Sequence, residues 1–302
     1  MAKSVLSRYL NPEVLSHVAD RHIEPRGLVI GNLAGAHRSP LSGFAVEFAG
    51  HREYVPGDDP RHVDWRVYYT RDKYFVKQYE LETNFVCHLL LDISASMRYG
   101  EEQQQKLLYA AQMATTLGYS IVRQSDKVSL STFDDHVRGH VPPSNSMAQV
   151  VRMTEHLDEI AADEKTDMEA ALSELTGRMG RREIVMLFSD FFCDLDVLES
   201  AVQRMRYAKH EVVLFQMMHH DELTFDLSGM TRFVGLEIPD HMLAQPEDLR
   251  RGYLAALERF NRRLEEIAQR NSCEHVLIDT SRPMVETFID YLNRRSMLRG
   301  GR

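Results

Sequence analysis

The sequence predicts an α/β protein of Rossmann-like type: a mainly parallel central sheet with helices on both faces, preceded by a β-rich N-terminal extension. Three observations predict it. From residue 84 onward, short apolar runs of strand length alternate with amphipathic stretches of helix length, the pattern of repeated βαβ units. Two of those runs, 84–92 (NFVCHLLLD) and the IVMLF run within 182–190, are mostly apolar, as expected of strands covered on both faces, and each stretch ends in an acid, Asp92 and Asp190. Between residues 25 and 60, in contrast, Gly and Pro recur so densely that only short strands and turns are expected.

Each element follows from its pattern. Residues 72–80 (DKYFVKQYE) are aromatic and β-branched enough for a strand. After the strand at 84–92, Leu107, Leu108, Ala111, Ala114, Leu117 and Ile121 recur at helical spacing and predict a helix over 101–123. Residues 127–133 alternate as a strand, and 137–141 return beside it after Asp134-Asp135. Helices are expected at 146–160 and 167–178, a buried strand at 182–189, a helix at 195–208 and a strand at 211–218. The stretch 220–246 is mixed, with a strand at 231–238; a long amphipathic helix over 247–271, a strand at 275–279 and a helix at 283–295 follow. This divides the chain into an extension, 1–80, and an α/β domain, 81–302.

Composition excludes several classes. The 302 residues are 43% hydrophobic and 27% charged, ordinary for a folded chain that buries a large core. A formal net charge of −9 argues against a protein built to grip phosphate backbones, so no nucleic-acid partner is expected. Arg178, Arg181 and Arg182 read as a solvated helix end. Cys87, Cys193 and Cys273 are too sparse for a disulfide framework or a zinc ribbon, and reduced cytoplasmic thiols are expected. The N-terminal stretch has no apolar h-region, and no apolar run approaches the ~20 residues of a membrane span.

The chemistry concentrates after the strand at 84–92. Asp92, Ser94 and Ser96 form D-x-S-x-S, three oxygen side chains at alternate positions in a loop leaving a strand end. Oxygen-only donors suit a hard cation: Mg2+ first, with Mn2+ or Ca2+ as alternatives. Thr166, ahead of a helix, and Asp190, at another strand end, present two further oxygens, with Asp167 and Asp194 as rival ligands. In parallel sheets, ligands bind beyond the carboxyl ends of the strands, where Asp92 and Asp190 are expected.

This set resembles the von Willebrand factor type A domain and its metal-ion-dependent adhesion site, over roughly residues 84–295. The resemblance implies that Ser94, Ser96 and Thr166 ligate a divalent ion through hydroxyls, with Asp92 and Asp190 acting directly or through water. An open position on the ion would then accept a carboxylate from a partner. The sequence departs from the family pattern at Phe191, which follows Asp190 where glycine is frequent, and at Glu164-Lys165 ahead of Thr166.

The preceding segment reads R-E-Y-x-P-G-D-D-x-R-x-x-D-W over residues 52–65. Pro56-Gly57 marks a turn. Arg52, Arg61 and Arg66 alternate with Glu53, Asp58, Asp59 and Asp64, so an ion-pair network around a buried Trp65 is expected, at a truncation cost of ~3–5 kcal/mol. Structural locking is the favoured role of this segment; Arg52, Asp58, Asp59, Arg61, Asp64 and Trp65 are also its candidate partner-binding residues. Together with the D-x-S-x-S-M that follows, this segment is similar to the bacterial family called domain of unknown function 58. That resemblance implies a non-enzymatic accessory of a MoxR-type AAA+ ATPase, acting on client proteins in maturation or metal insertion.

Other readings fare worse. G-x-x-x-x-G-K-[ST] is absent, which argues against an ATPase, and G-x-S-x-G is absent, which argues against that class of serine hydrolase. A dehalogenase-type phosphatase needs a second acid where Ser94 stands. His219-His220-Asp221 reads as a polar turn. A metal-dependent hydrolase and a scaffold with a vestigial metal site remain the alternatives.

Overall fold

The computed structural model describes residues 5–18, 21, 23, 25, 34–38, 47–80, 82–160, 168–236 and 240–297. Its elements in chain order are α1 (Val5–Tyr9), α2 (Pro12–Val18), β1 (Ala34–Arg38), β2 (Glu47–Glu53), α3 (Trp65–Arg71), β3 (Phe75–Glu80), β4 (Glu82–Thr83) and β5 (Val86–Asp92). There follow α4 (Lys106–Arg123), β6 (Lys127–Phe133), β7 (Val137–Ser144), α5 (Ala148–Asp158), α6 (Met168–Arg178), β8 (Ile184–Ser189), α7 (Leu195–Tyr207) and β9 (Glu211–Met218). The last are α8 (His220–Thr224), β10 (Thr231–Val234), β11 (His241–Ala244), α9 (Pro246–Arg270), β12 (Glu274–Asp279) and α10 (Met284–Met297).

The chain divides into two compact units, Met1–Ile23 with Val86–Arg302, and Glu24–Phe85. The first 23 residues therefore belong with the α/β unit rather than with the extension. Burial explains why: Val14 and Ile23 are fully enclosed, α1 packs on α4 and α5, and α2 packs on α4 and α10.

The α/β unit is built on one six-stranded sheet of order β12-β9-β8-β5-β6-β7. Every neighbouring pair is parallel except β6 and β7, so β7 is the antiparallel edge reached by the expected hairpin return. Register sorts the side chains by face. Leu90, Leu187 and Leu214 point to one side and join a cluster with Leu172 and Leu175 of α6 and Leu198 and Val202 of α7. Leu89, Phe188 and Phe215 point to the other. There Phe188 stacks on Phe215 at 4.7 Å, and Tyr291 of α10 meets Phe215 edge-on at 5.0 Å. On that side Gly118 of α4 lets the helix approach: a Cβ there would lie 2.7 Å from Met153 Cε and 3.6 Å from Leu89 Cδ1.

The extension unit pairs β2 with β3 and β1 with β4, both antiparallel. It also holds α3, which the Gly/Pro density concealed. Asp64 caps that helix by accepting the Arg66 N–H at 3.0 Å, and Asp72 ends it in the left-handed conformation. The expected strand at 231–238 ends at Val234 and, among the described residues, pairs with β11 alone; residues 237–239 lie outside the described residues. The expected helix at 101–123 starts at Lys106. Ahead of it Gly100 (φ +98°) and Glu102 (φ +45°) turn the chain, and short 3-10 turns run over Ala95–Arg98 and Glu102–Gln104.

Candidate functional site

Because β5, β8 and β9 run parallel, their carboxyl ends open at one edge of the sheet, where the loops leaving β5 and β8 meet the starts of α4 and α8. The first leaves β5. Asp92 Oδ1 accepts the Ser94 N–H at 2.9 Å and Oδ2 accepts the Ser189 hydroxyl at 2.6 Å. The Ser94 and Ser96 hydroxyls stand 3.0 Å apart. Asp92 is 1% exposed; burial, with the Asp190 charge second, pushes its carboxyl up to about 7.

The second loop leaves β8. Ser189 Oγ accepts the Phe191 N–H at 2.9 Å while donating to Asp92, which links the two loops. Phe191 adopts φ +60°, the conformation that favours glycine, with its ring fully buried in the core beside α6 and α7. The backbone turn is thus of the kind glycine would allow, and the burial of an aromatic ring offsets its strain. Asp190, 2% exposed, accepts the Phe192 N–H through Oδ1 at 3.1 Å.

The third contributor is α4. Lys106 is its first residue and is 0% exposed. Its ammonium donates to Asp190 Oδ2 at 2.9 Å and to Glu222 Oε1 at 2.8 Å, and lies 5.5 Å from the Phe192 ring centroid. Burial alone would push the amine down; the charges of Asp190 and Glu222 outweigh it and hold Lys106 above the usual lysine range. Glu222 is itself fixed, since its Oε2 accepts the His219 N–H at 2.8 Å in a capping box at the start of α8. His219-His220-Asp221, expected as a polar turn, is this helix start.

Of the candidate ligands, Asp92, Ser94, Ser96 and Asp190 are brought to this edge. Thr166 and its rival Asp167 lie outside the described residues. Asp194 caps α7 by accepting the Asp196 N–H at 2.9 Å, a helix-capping role. Sequence reasoning missed Ser189, Lys106 and Glu222. A signal existed for Lys106: a cation in the first turn of a helix opposes the helix dipole and calls for acidic compensation.

The 52–65 segment forms local pairs in its own unit. Arg52 bonds Asp58 at 2.8 Å, Arg61 pairs with Asp59 at 3.0 Å, and Asp64 faces His51 at 2.8 Å and Lys77 at 3.7 Å. The hydrogen bond from Arg52 holds the Asp58 carboxyl below its usual range. Trp65 corrects the sequence reading. It is 55% exposed, and its ring meets Tyr68 and Tyr74 edge-on at 6.2 and 6.4 Å. As the first residue of α3 it stands at an outer position of a short helix.

The donor set fits a divalent ion on the β5 loop. Adjacent ligands of an octahedral Mg2+ at ~2.1 Å lie about 3 Å apart, the spacing of the two serine hydroxyls. Asp190 and Glu222 are two carboxylates sharing the ammonium of Lys106, so that group retains negative charge. A second acidic group, Asp134, Asp135 and His136, is less open to a metal, because the Arg138 guanidinium already holds Asp134 at 2.6 and 2.7 Å.

Residues 50–263 match the family described as "Protein of unknown function DUF58", more than half of the chain, and the chain belongs to that family. It is 23% identical over 191 residues to "Uncharacterized protein Rv1480" of Mycobacterium tuberculosis and to "Uncharacterized protein Mb1516" of Mycobacterium bovis. The match covers 62% of this chain and 60% of each relative, so the chain spans about three fifths of the curated relatives it matches. Among solved structures, it is similar to an aerotolerance-related membrane protein from Bacteroides fragilis (16% identity, TM-score 0.47, 70% of this chain and 100% of that one). It is also similar to BatB from Bacteroides thetaiotaomicron (16%, TM-score 0.45, 71% and 100%) and to the SpRpn10 VWA domain (11%, TM-score 0.39, 69% and 95%). Among the described residues, no helix of this chain is long and apolar enough to cross a membrane.

Proposed function

We propose that this chain is a non-enzymatic protein-interaction module that captures a carboxylate of a client protein through a divalent cation, Mg2+ first, on the Asp92–Ser94–Ser96 loop. The observation that carries the reading is the pair of serine hydroxyls 3.0 Å apart beside a buried carboxylate, at an edge where carboxylates outnumber ammonium groups. Ser94 and Ser96 would hold the ion with Asp92 behind them; Thr166 is the further ligand that the von Willebrand factor A resemblance implies. The ion would supply a positive centre with an open position. Neutral hydroxyls leave its charge under-neutralised, which suits recognition of an anionic side chain. Service to a MoxR-type AAA+ ATPase, in client maturation or metal insertion in the cytoplasm, completes the reading and rests on the family resemblance.

Isothermal titration with Mg2+ and Mn2+ tests it. The expected result is binding that the Ser94→Ala/Ser96→Ala variant loses at unchanged melting temperature. Equal titration curves for the two proteins would overturn the metal-dependent reading and favour a scaffold with a vestigial site.

A further inference from the structure

Lys106 is a fully enclosed cation set between two carboxylates, one of them Asp190, whose charge acts on Asp92 in a site whose expected ligand is itself a cation. Burying an ammonium is costly, and leaving Asp190 and Glu222 without it would cost more. The lysine therefore stays, and it changes what the site can hold. Asp190 Oδ2 already accepts the ammonium, and Oδ1 already accepts the Phe192 N–H. A divalent ion drawn to Asp190 would have to displace the ammonium or sit beside it. The affinity of such sites follows the number of charged ligands. Without Asp190, Asp92 is the one acid among the described candidates left to serve the ion.

We propose that Lys106 is the resident cation of this site, withholding Asp190 and Glu222 from the divalent ion. Resting on the function proposed above, this makes the free ion a weak ligand and a partner carboxylate the group that completes its coordination. Lys106 then couples the two ligands: ion and client are held well only together. The residue acts through Asp190 and is a positioning residue. Its side chain is fixed by three independent features, the two carboxylates and the Phe192 ring, and Glu222 is fixed in turn by the capping box of α8.

The experiment is Mn2+ titration of the full chain, by calorimetry and by the electron paramagnetic resonance signal of free Mn2+, on four proteins. The parent chain is expected to bind weakly. Lys106→Met is expected to bind at least tenfold more tightly, because Asp190 and Glu222 are freed, and to gain more in melting temperature on adding Mn2+ than the parent does. Lys106→Arg restores the parent's affinity. Asp190→Asn, which keeps an oxygen facing Lys106, changes Mn2+ affinity by less than about twofold. Lys106→Met binding like the parent overturns the proposal, and so does a tenfold loss in Asp190→Asn. The latter variant decides the matter if Lys106→Met does not fold. The serine variant tests the hydroxyl ligands separately, so failure of the metal site and failure of the Lys106 assignment give different results.

Discussion

Trp65 shows how far a single residue type can mislead. A lone tryptophan amid alternating charges reads as a buried anchor, yet the indole is 55% exposed and leans edge-on against Tyr68 and Tyr74. Trp65→Ala is therefore expected to cost about 1 kcal/mol, the scale of one or two edge-to-face contacts, and not the ~3–5 of a core truncation. Urea denaturation of the two proteins measures the difference; a loss above 3 kcal/mol would place the ring in a core. Tyr69 (86% exposed) and Tyr74 lie near it in the same unit, and such clusters of exposed aromatics are typical of interaction surfaces. Phe191 is the opposite case. The sequence marks it as out of pattern, and the structure gives the reason it is tolerated: a turn of positive φ held by an aromatic ring in the core.

The connection between β5 and α4 is the element on which the site depends. Its D-x-S-x-S start was legible because alternate oxygens after an apolar run are visible in one dimension. Its second half was not, because helical periodicity over 101–123 hides the turns ahead of Lys106. Gly100 is the hinge of that half. It has φ +98°, and a Cβ there would lie 2.8 Å from the Gln104 carbonyl oxygen and 2.9 Å from His219 Cδ2. Gly100→Ala is expected to destabilise the α/β unit by about 1–3 kcal/mol, through backbone strain together with overpacking. Thermal unfolding checks this: a melting temperature equal to the parent's would show that the loop relaxes freely.

At the scale of the whole molecule, three histidines partly or fully shielded by the fold make stability sensitive to acid. His156, His210 and His275 all lie in the α/β unit, and burial is the main cause that holds each below the usual histidine range. His210 is fully enclosed: its Nδ1 accepts the Glu183 N–H at 3.2 Å, while Nε2 has no partner among the described residues. Glu183 raises its affinity for a proton; His88 and Arg206 lower it further. Below about pH 6.5 the unfolded chain takes up protons that the folded chain refuses. The stability these histidines contribute is thus fully present above about pH 6.5 and falls as the pH drops below it, while Asp92, held up to about 7, contributes with the opposite sign. Denaturation midpoints at pH 7.5 and 5.5 measure this, and His210→Gln should flatten the dependence. Equal changes in the parent and in His210→Gln between the two pH values would contradict neutral burial of His210.

By itself, the sequence determined the order and type of nearly every element from residue 84 onward, since hydrophobic periodicity is a local property of the chain. It also placed Asp92, Ser94, Ser96 and Asp190 at strand ends, because parallel topology brings such ends together. Only the tertiary structure decided what those groups meet. Lys106 and Glu222 are 116 residues apart, and Lys106 and Asp190 are 84 apart. No periodicity connects residues at such separations. Their meeting follows from the packing of α4, α8 and the β8 loop around one sheet edge, where a buried charge must find its counter-charge wherever the fold supplies one.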